Sequence, residues 1–120
     1  MYESGENYLE TILVLEKKLG TVRSIDIARE LEFSKPSVSR AVGLLKENNF
    51  IEIDGDGFIK LTKTGRTMAE SIYDRHKVLT EFFVKIAEVS IEVAEEDACR
   101  IEHVISPETF SGIKNFLKNN

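Results

Sequence analysis

A thiol, a carboxylate and an imidazole lie within five residues of one another in Cys99-Arg-Ile-Glu102-His103. At positions i, i+3 and i+4 of a helix they would share one face. That donor set suits a borderline first-row transition metal rather than calcium or magnesium, which take oxygen ligands. The face points away from the apolar stripe of Ala94, Ala98, Ile101 and Ile105, so the helix is expected to pack by one side and offer ligands on another. His76 falls on the inward stripe of a preceding helix, and Asn7 and Glu10 stand at i and i+3 of the first helix. Three helices could therefore converge on one ion through His76, Cys99, Glu102, His103, Glu10 and an oxygen of Asn7. Glu95, one turn before Cys99, could serve a second metal ion. Plainer readings stand beside these: a histidine on an apolar stripe is commonly a satisfied core residue, and a lone cysteine a small buried hydrophobe.

A second constellation lies earlier, in the segment Arg23 to Lys46. A short helical pattern, a turn at Phe33-Ser34-Lys35 and a helix opening at Pro36 form a helix-turn-helix pattern. The second helix carries Ser34, Lys35, Pro36, Ser37, Ser39 and Arg40 at its N-terminal end: small residues that let a backbone approach bases, with long donors among them. Hydroxyls and a helix N-terminus suit phosphate oxygens. Pro36 suits a thymine methyl, and Arg40 suits guanine or phosphate. Lys60 and Lys63 flank the following hairpin and suit backbone contact. A helical hairpin that binds no nucleic acid is the plain alternative.

The elements that must position these groups follow from periodicity. Residues 5–18 read as a helix with Tyr8, Leu9, Ile12, Leu13 and Leu15 on its apolar face, ended by Gly20. Ser24 is the expected N-cap of a helix over 25–32, with Ile25, Ala28 and Leu31 on one stripe. The reading helix runs to about Lys46, with Val38, Val42 and Leu45 inward, and Asn48-Asn49 breaks it. The period then changes to two over Phe50–Thr62 around Asp54-Gly-Asp-Gly57, a hairpin signal. A ribbon straight after a helix-turn-helix is the wing of a winged helix. A long helix is expected from about Thr64, with Met68, Ile72, His76, Leu79, Phe83 and Ile86 inward. Another is expected over 92–105, and Ser106-Pro107 opens a last one carrying Phe110, Ile113, Phe116 and Leu117.

Charge is unevenly placed. The chain carries a net −5, yet residues 17–66 hold ten Lys/Arg against seven Asp/Glu, and residues 67–120 hold six against ten. The reading segment is basic and its flanks are acidic; acidic flanks favour cations and repel phosphates until something neutralises them. No run approaches the ~20 apolar residues of a membrane span. The opening Met1–Glu6 lacks the basic flank and apolar run of a signal peptide. With one cysteine there is no internal disulfide, so a cytoplasmic, reducing setting is expected, with Cys99 free to be a ligand.

On these residues the sequence resembles the diphtheria-toxin-repressor and manganese-transport-regulator family of iron- or manganese-dependent regulators. The resemblance rests on Glu6-Asn-Tyr-Leu-Glu10, Ser34-Lys-Pro-Ser-Val-Ser-Arg40, Leu61-Thr-Lys-Thr-Gly-Arg66, Arg75-His76 and Ala98-Cys-Arg-Ile-Glu-His-Val-Ile-Ser106. It implies metal-activated binding to palindromic double-stranded DNA by a homodimer. It also implies a mainly α fold: a winged helix-turn-helix over 1–66, then a helical metal-binding and dimerisation domain over 67–120. Glu10 resembles the manganese branch and Cys99 the iron branch, while Asn7 replaces the methionine of one and the aspartate of the other. A thiolate favours Fe(II) over Mn(II). The residue four on from His76 is Thr80 rather than an acid, unlike the iron branch's ancillary metal site. The sequence ends at Asn120, so the family's optional C-terminal β-barrel is not expected within it. The expected function is a metal-activated repressor of metal-homeostasis genes. The alternative is a winged-helix regulator that does not sense metal. A metallohydrolase echo in Cys99-x-x-Glu102-His103 is set aside, because a cysteine stands where that motif needs histidine and the chain is short for a substrate cleft.

Overall fold

The structure, a computed structural model, describes residues 3–120; the first two residues of the expected head lie outside that description. In order the described elements are α1 (Glu3–Leu19), α2 (Ser24–Leu31), α3 (Lys35–Glu47), β1 (Ile51–Ile53), β2 (Ile59–Leu61), α4 (Lys63–Lys85), α5 (Ile91–Ile101) and α6 (Pro107–Asn119). The chain separates into two compact units, the first ending at Glu70 and the second running Ser71–Asn120. No helix among the described residues is long and apolar enough to cross a membrane.

In the first unit, the five apolar residues predicted for α1 are all buried, and Ile27, Val38, Val42 and Leu45 join them from α2 and α3. Fully burying such side chains contributes about 1.5–3 kcal/mol each. Gly20 leaves α1 at φ +84°, a region costly for other residues, while its N–H closes the last turn on Glu16 O at 2.9 Å. Ser24 is not the cap of α2. Arg23 is the extended residue, and the Asp26 carboxylate accepts its N–H at 2.9 Å, so the helix starts one residue earlier than the sequence predicts. The most deeply buried residue of α2 is Ile27, beside the predicted stripe. Ser34 caps α3, its hydroxyl accepting Ser37 N–H at 3.3 Å, with Pro36 in the first turn. Lys35 therefore belongs to the helix rather than to the turn.

β1 and β2 pair antiparallel with Ile51 opposite Leu61, Glu52 opposite Lys60 and Ile53 opposite Ile59. Asp54 builds the turn between them: its carboxylate accepts the N–H of Asp56 at 2.9 Å and of Phe58 at 3.0 Å. The Phe58 N–H is the chief reason that the Asp54 carboxyl is held below the usual carboxylate range. Where α4 leaves the wing, Thr62 Oγ1 donates to Asn49 O at 2.7 Å and accepts Gly65 N–H at 3.0 Å. This draws α4 onto Phe50 so tightly that a Cβ at position 65 would overlap the Phe50 carbonyl oxygen and lie 2.9 Å from its carbon. Arg66 Nη2 then donates to both carboxylate oxygens of Glu16, at 2.9 and 3.0 Å, fastening the start of α4 to α1.

In the second unit, Ile72 and Leu79 are buried on α4 and His76 and Phe83 are half-buried. The predicted stripe fails at Ile86, which is 47% exposed. Its N–H and that of Ala87 bond back to Phe82 O and Phe83 O, and Glu88 at φ +55° turns the chain away. Ser90 caps α5 through Val93 N–H at 3.2 Å. That helix ends at Ile101, not at residue 105. Pro107 holds Ser106 extended, at φ −71° and ψ 151°, which bars a helix past residue 105 but does not set the earlier end. Val104 N–H and Ile105 N–H both fold back onto Ile101 O at 2.9 Å. Ser106 caps α6 as predicted, accepting Thr109 N–H at 3.1 Å. Lys114 of α6 meets Asp74 of α4 at 2.9 Å, and Phe116 meets Phe82 edge-on at 6.2 Å between ring centroids.

Candidate metal centre and nucleic-acid interface

The buried stripe of α5 is Ala94, Ala98 and then Glu102, which is 0% exposed. These are i, i+4 and i+8, so Glu102 continues the inward face just past the last helical turn. This corrects the expectation that the ligands point away from that stripe. Cys99 is exposed, as is Glu95 one turn before it. Cys99, Glu102 and His103 thus do not share one exposed helix face.

Three of the expected ligands come together in the second unit. His76 Nδ1 lies 2.9 Å from Glu102 Oε2, and His103 Nε2 lies 3.3 Å from Glu102 Oε1. The His103 side chain is 3% exposed. The His76 pKa is raised, first by its hydrogen bond to Glu102, against the opposing effect of burial, with the charges of Glu102 and Glu95 adding to the rise.

The decisive atom is Glu102 Oε1. It is buried and accepts no hydrogen bond. A buried carboxylate oxygen left so costs ~1–3 kcal/mol or more unless something cationic answers it. A carboxylate oxygen and two imidazoles form a donor set that fits a divalent transition metal, so these residues fit the metal that the sequence implies.

In the first unit, Glu10 is buried on α1 at 9% exposure, unusual for a carboxylate. Asn7, one turn earlier, is half-buried, and its backbone carbonyl accepts Thr11 Oγ1–H at 2.8 Å. Every residue expected to read nucleic acid is exposed: Ser34, Lys35, Pro36, Ser37, Ser39, Arg40, Lys60 and Lys63. Val38 and Val42 anchor the opposite side of α3. Ser34 donates its hydroxyl hydrogen to Ser37 Oγ at 2.8 Å while capping the helix. Ser37 is therefore the hydroxyl left with a hydrogen to donate outward.

Two residues of interest have contacts that the sequence pattern does not reveal. Arg23 stacks its guanidinium 4.3 Å from the centre of the Phe58 ring at the wing. Arg75 Nη1 donates to the backbone carbonyl of Glu102 at 3.1 Å. The adjacency of Arg75 to His76 is visible in the sequence, but no local pattern marks a side chain that caps a carbonyl 27 residues away.

These elements define a winged helix-turn-helix protein with an appended helical domain. Residues 1–57 match the family model described as the iron dependent repressor N-terminal DNA binding domain. Residues 62–120 match the iron dependent repressor metal binding and dimerisation domain. The diphtheria toxin repressor of Corynebacterium diphtheriae is 31% identical over 119 residues, 99% of this chain and 53% of that protein. The transcriptional regulator MntR of Escherichia coli O6:H1 is 30% identical over 113 residues, 94% of this chain and 72% of that protein. The solved structure of the manganese regulator SloR superposes with a TM-score of 0.85 at 26% identity, covering 97% of this chain and 54% of that one. The chain belongs to the iron-dependent repressor family, and it spans about half the length of the first curated relatives it matches.

Proposed function

We propose that this chain is a metal-activated, DNA-binding transcriptional repressor that works as a cytoplasmic homodimer on a palindromic operator controlling metal-homeostasis genes. The observation that carries the reading is Glu102: a fully buried carboxylate, one oxygen of which accepts no hydrogen bond, with a histidine nitrogen 2.9 Å from one oxygen and another 3.3 Å from the other. The metal supplies divalent charge to the buried carboxylate. His76, Glu102 and His103 hold it, Cys99 adds a thiolate, and Asn7 and Glu10 join from the head; Glu95 serves a second ion. Glu10 supports this as a carboxylate buried on α1, within the residue types that a divalent cation takes as ligands. Fe(II) is favoured over Mn(II), as a thiolate among the donors directs.

Residues 1–66 read DNA through the N-terminal end of α3 and the lysines beside the wing. Residues 67–120 bind metal and dimerise. Ile86, Ile91, Val93, Val104 and Phe116 are large apolar side chains left exposed there, which supports a partner surface. Two heads related by a two-fold axis match the half-sites of a palindrome. Metal acts by tying α1 to the second domain, which limits head orientation and offsets acidic repulsion.

The test is Glu10→Ala, which cuts the link on the head side and leaves the other ligands in place. Fluorescence anisotropy with operator DNA, with and without Fe(II) or Mn(II), should show a metal-dependent gain of roughly 5–150-fold for the unaltered chain. Glu10→Ala should still bind an ion but lose most of that gain. Retention of the full gain would make the ion structural and end this mechanism.

A further inference from the structure

We propose that Arg75 is a positioning residue for the metal centre, one half of a two-point grip on Glu102. The inference rests on the metal reading above and extends it to a residue that donates nothing to the ion. Glu102 follows the last residue of α5, where backbone carbonyls have no partner inside the helix. Two consecutive residues of α4 hold it. Arg75 Nη1–H donates to its carbonyl at 3.1 Å, and His76 Nδ1 meets its carboxylate at 2.9 Å. With backbone and one carboxylate oxygen both fixed from the same helix, the side chain cannot swing. Oε1, which accepts no hydrogen bond and faces His103 Nε2 at 3.3 Å, is left as the oxygen for an ion.

The grip extends to α6. The Arg75 guanidinium sits 5.9 Å from the centre of the Phe110 ring, within cation–π range, and its neighbour Asp74 pairs with Lys114 at 2.9 Å. Arg75 thus touches both the ligand turn and α6, whereas the Asp74–Lys114 pair ties α6 to α4 without touching Glu102. A planar guanidinium can make both contacts at once, since one edge donates to the carbonyl while a face lies against a ring.

Co(II) added alone is the probe, followed by its visible absorption bands. Arg75→Met keeps the stem and removes the donors. It should weaken Co(II) binding ~10–100-fold, the usual effect of losing a partner that orients a ligand, and should shift the bands as Glu102 relaxes. Arg75→Lys should recover part of the affinity. Lys114→Ala should leave affinity and bands unchanged. Wild-type affinity and bands in Arg75→Met would overturn the proposal. So would an equal loss in Lys114→Ala, because loosening α6 would then be enough. If the unaltered chain bound no Co(II), the metal reading itself would fall, and this inference with it.

Discussion

Replacing Glu102 by Gln separates the metal role of this carboxylate from a purely structural one. The amide keeps an acceptor for His76 but loses the charge and the second anionic oxygen. Two effects of ~1–3 kcal/mol then oppose each other without metal: relief of a desolvated charge, and burial of an NH2 group that needs an acceptor. The informative quantity is therefore the metal-induced change within each variant. A ligand at a hundred times its Kd stabilises by about 2.7 kcal/mol. For 120 residues, at about 2.1 cal/mol/K each, the unfolding entropy is roughly 0.25 kcal/mol/K, so saturation should raise the Tm by roughly 10 °C. Losing a direct anionic ligand should weaken affinity at least ~100-fold, the upper end for a mere orienting partner. The same metal concentration then stabilises Glu102→Gln by about 0.4 kcal/mol, a shift under ~2 °C. Differential scanning calorimetry with and without Mn(II) measures both numbers. A full shift of roughly 10 °C in Glu102→Gln would show that the metal binds without this carboxylate.

Three further outcomes are expected. Gly65→Ala drives a Cβ into the Phe50 backbone and should cost about 1–3 kcal/mol or more in urea unfolding, whereas Gly112→Ala, in open space on α6, should be neutral or gain up to ~1 kcal/mol; equal effects would refute the close approach. Arg40→Ala should weaken operator binding by about 1–3 kcal/mol if it contacts a base, while Lys63→Ala should weaken binding to all sequences and flatten the salt dependence; unchanged gel-shift titrations for both would move the reading surface elsewhere. Because the folded pKa of Asp54 is lowered, its contribution to the wing turn is complete above the ordinary carboxylate value and drains away as pH falls through the lowered one. The amide signals of Asp56 and Phe58 should move together in that acid range, and Asp54→Asn should abolish the shared titration.

What is legible in the sequence is local. Ser106 caps the helix that the sequence assigns to it, because a cap needs only a hydroxyl three residues before an N–H; Ser34, read as part of the turn, caps α3 in the same way. Asp54 and Gly57 mark the wing turn for the same reason: the groups that they satisfy lie within four residues. The end of α5 is not legible, because Ile101 and Ile105 extend a helical period. The earlier end coincides with Val104 N–H bonding three residues back, to Ile101 O, a tightening that no residue type in the segment marks. Arg75 and Gly65 are silent because each answers a backbone group that is distant in sequence, at Glu102 and Phe50.

The misplacement of Glu102 says most about function. Ala94, Ala98 and Glu102 lie in register at i, i+4 and i+8, so the period alone puts Glu102 on the buried face. The outward expectation treats Cys99, Glu102 and His103 as one face, and it fails because only Cys99 of the three is exposed. A chain selected for stability alone would place an apolar side chain there and recover the free energy lost to an oxygen that accepts no hydrogen bond. Glu102 instead occupies the stripe between two histidines, with the small Ala94 and Ala98 preceding it. A buried carboxylate that breaks the hydrophobic pattern at one position, with one oxygen accepting no hydrogen bond, is the arrangement that the proposed divalent cation would offset. A ligand that binds only the folded state stabilises it by mass action, so the Tm shift on adding metal is the direct measure of this proposed role.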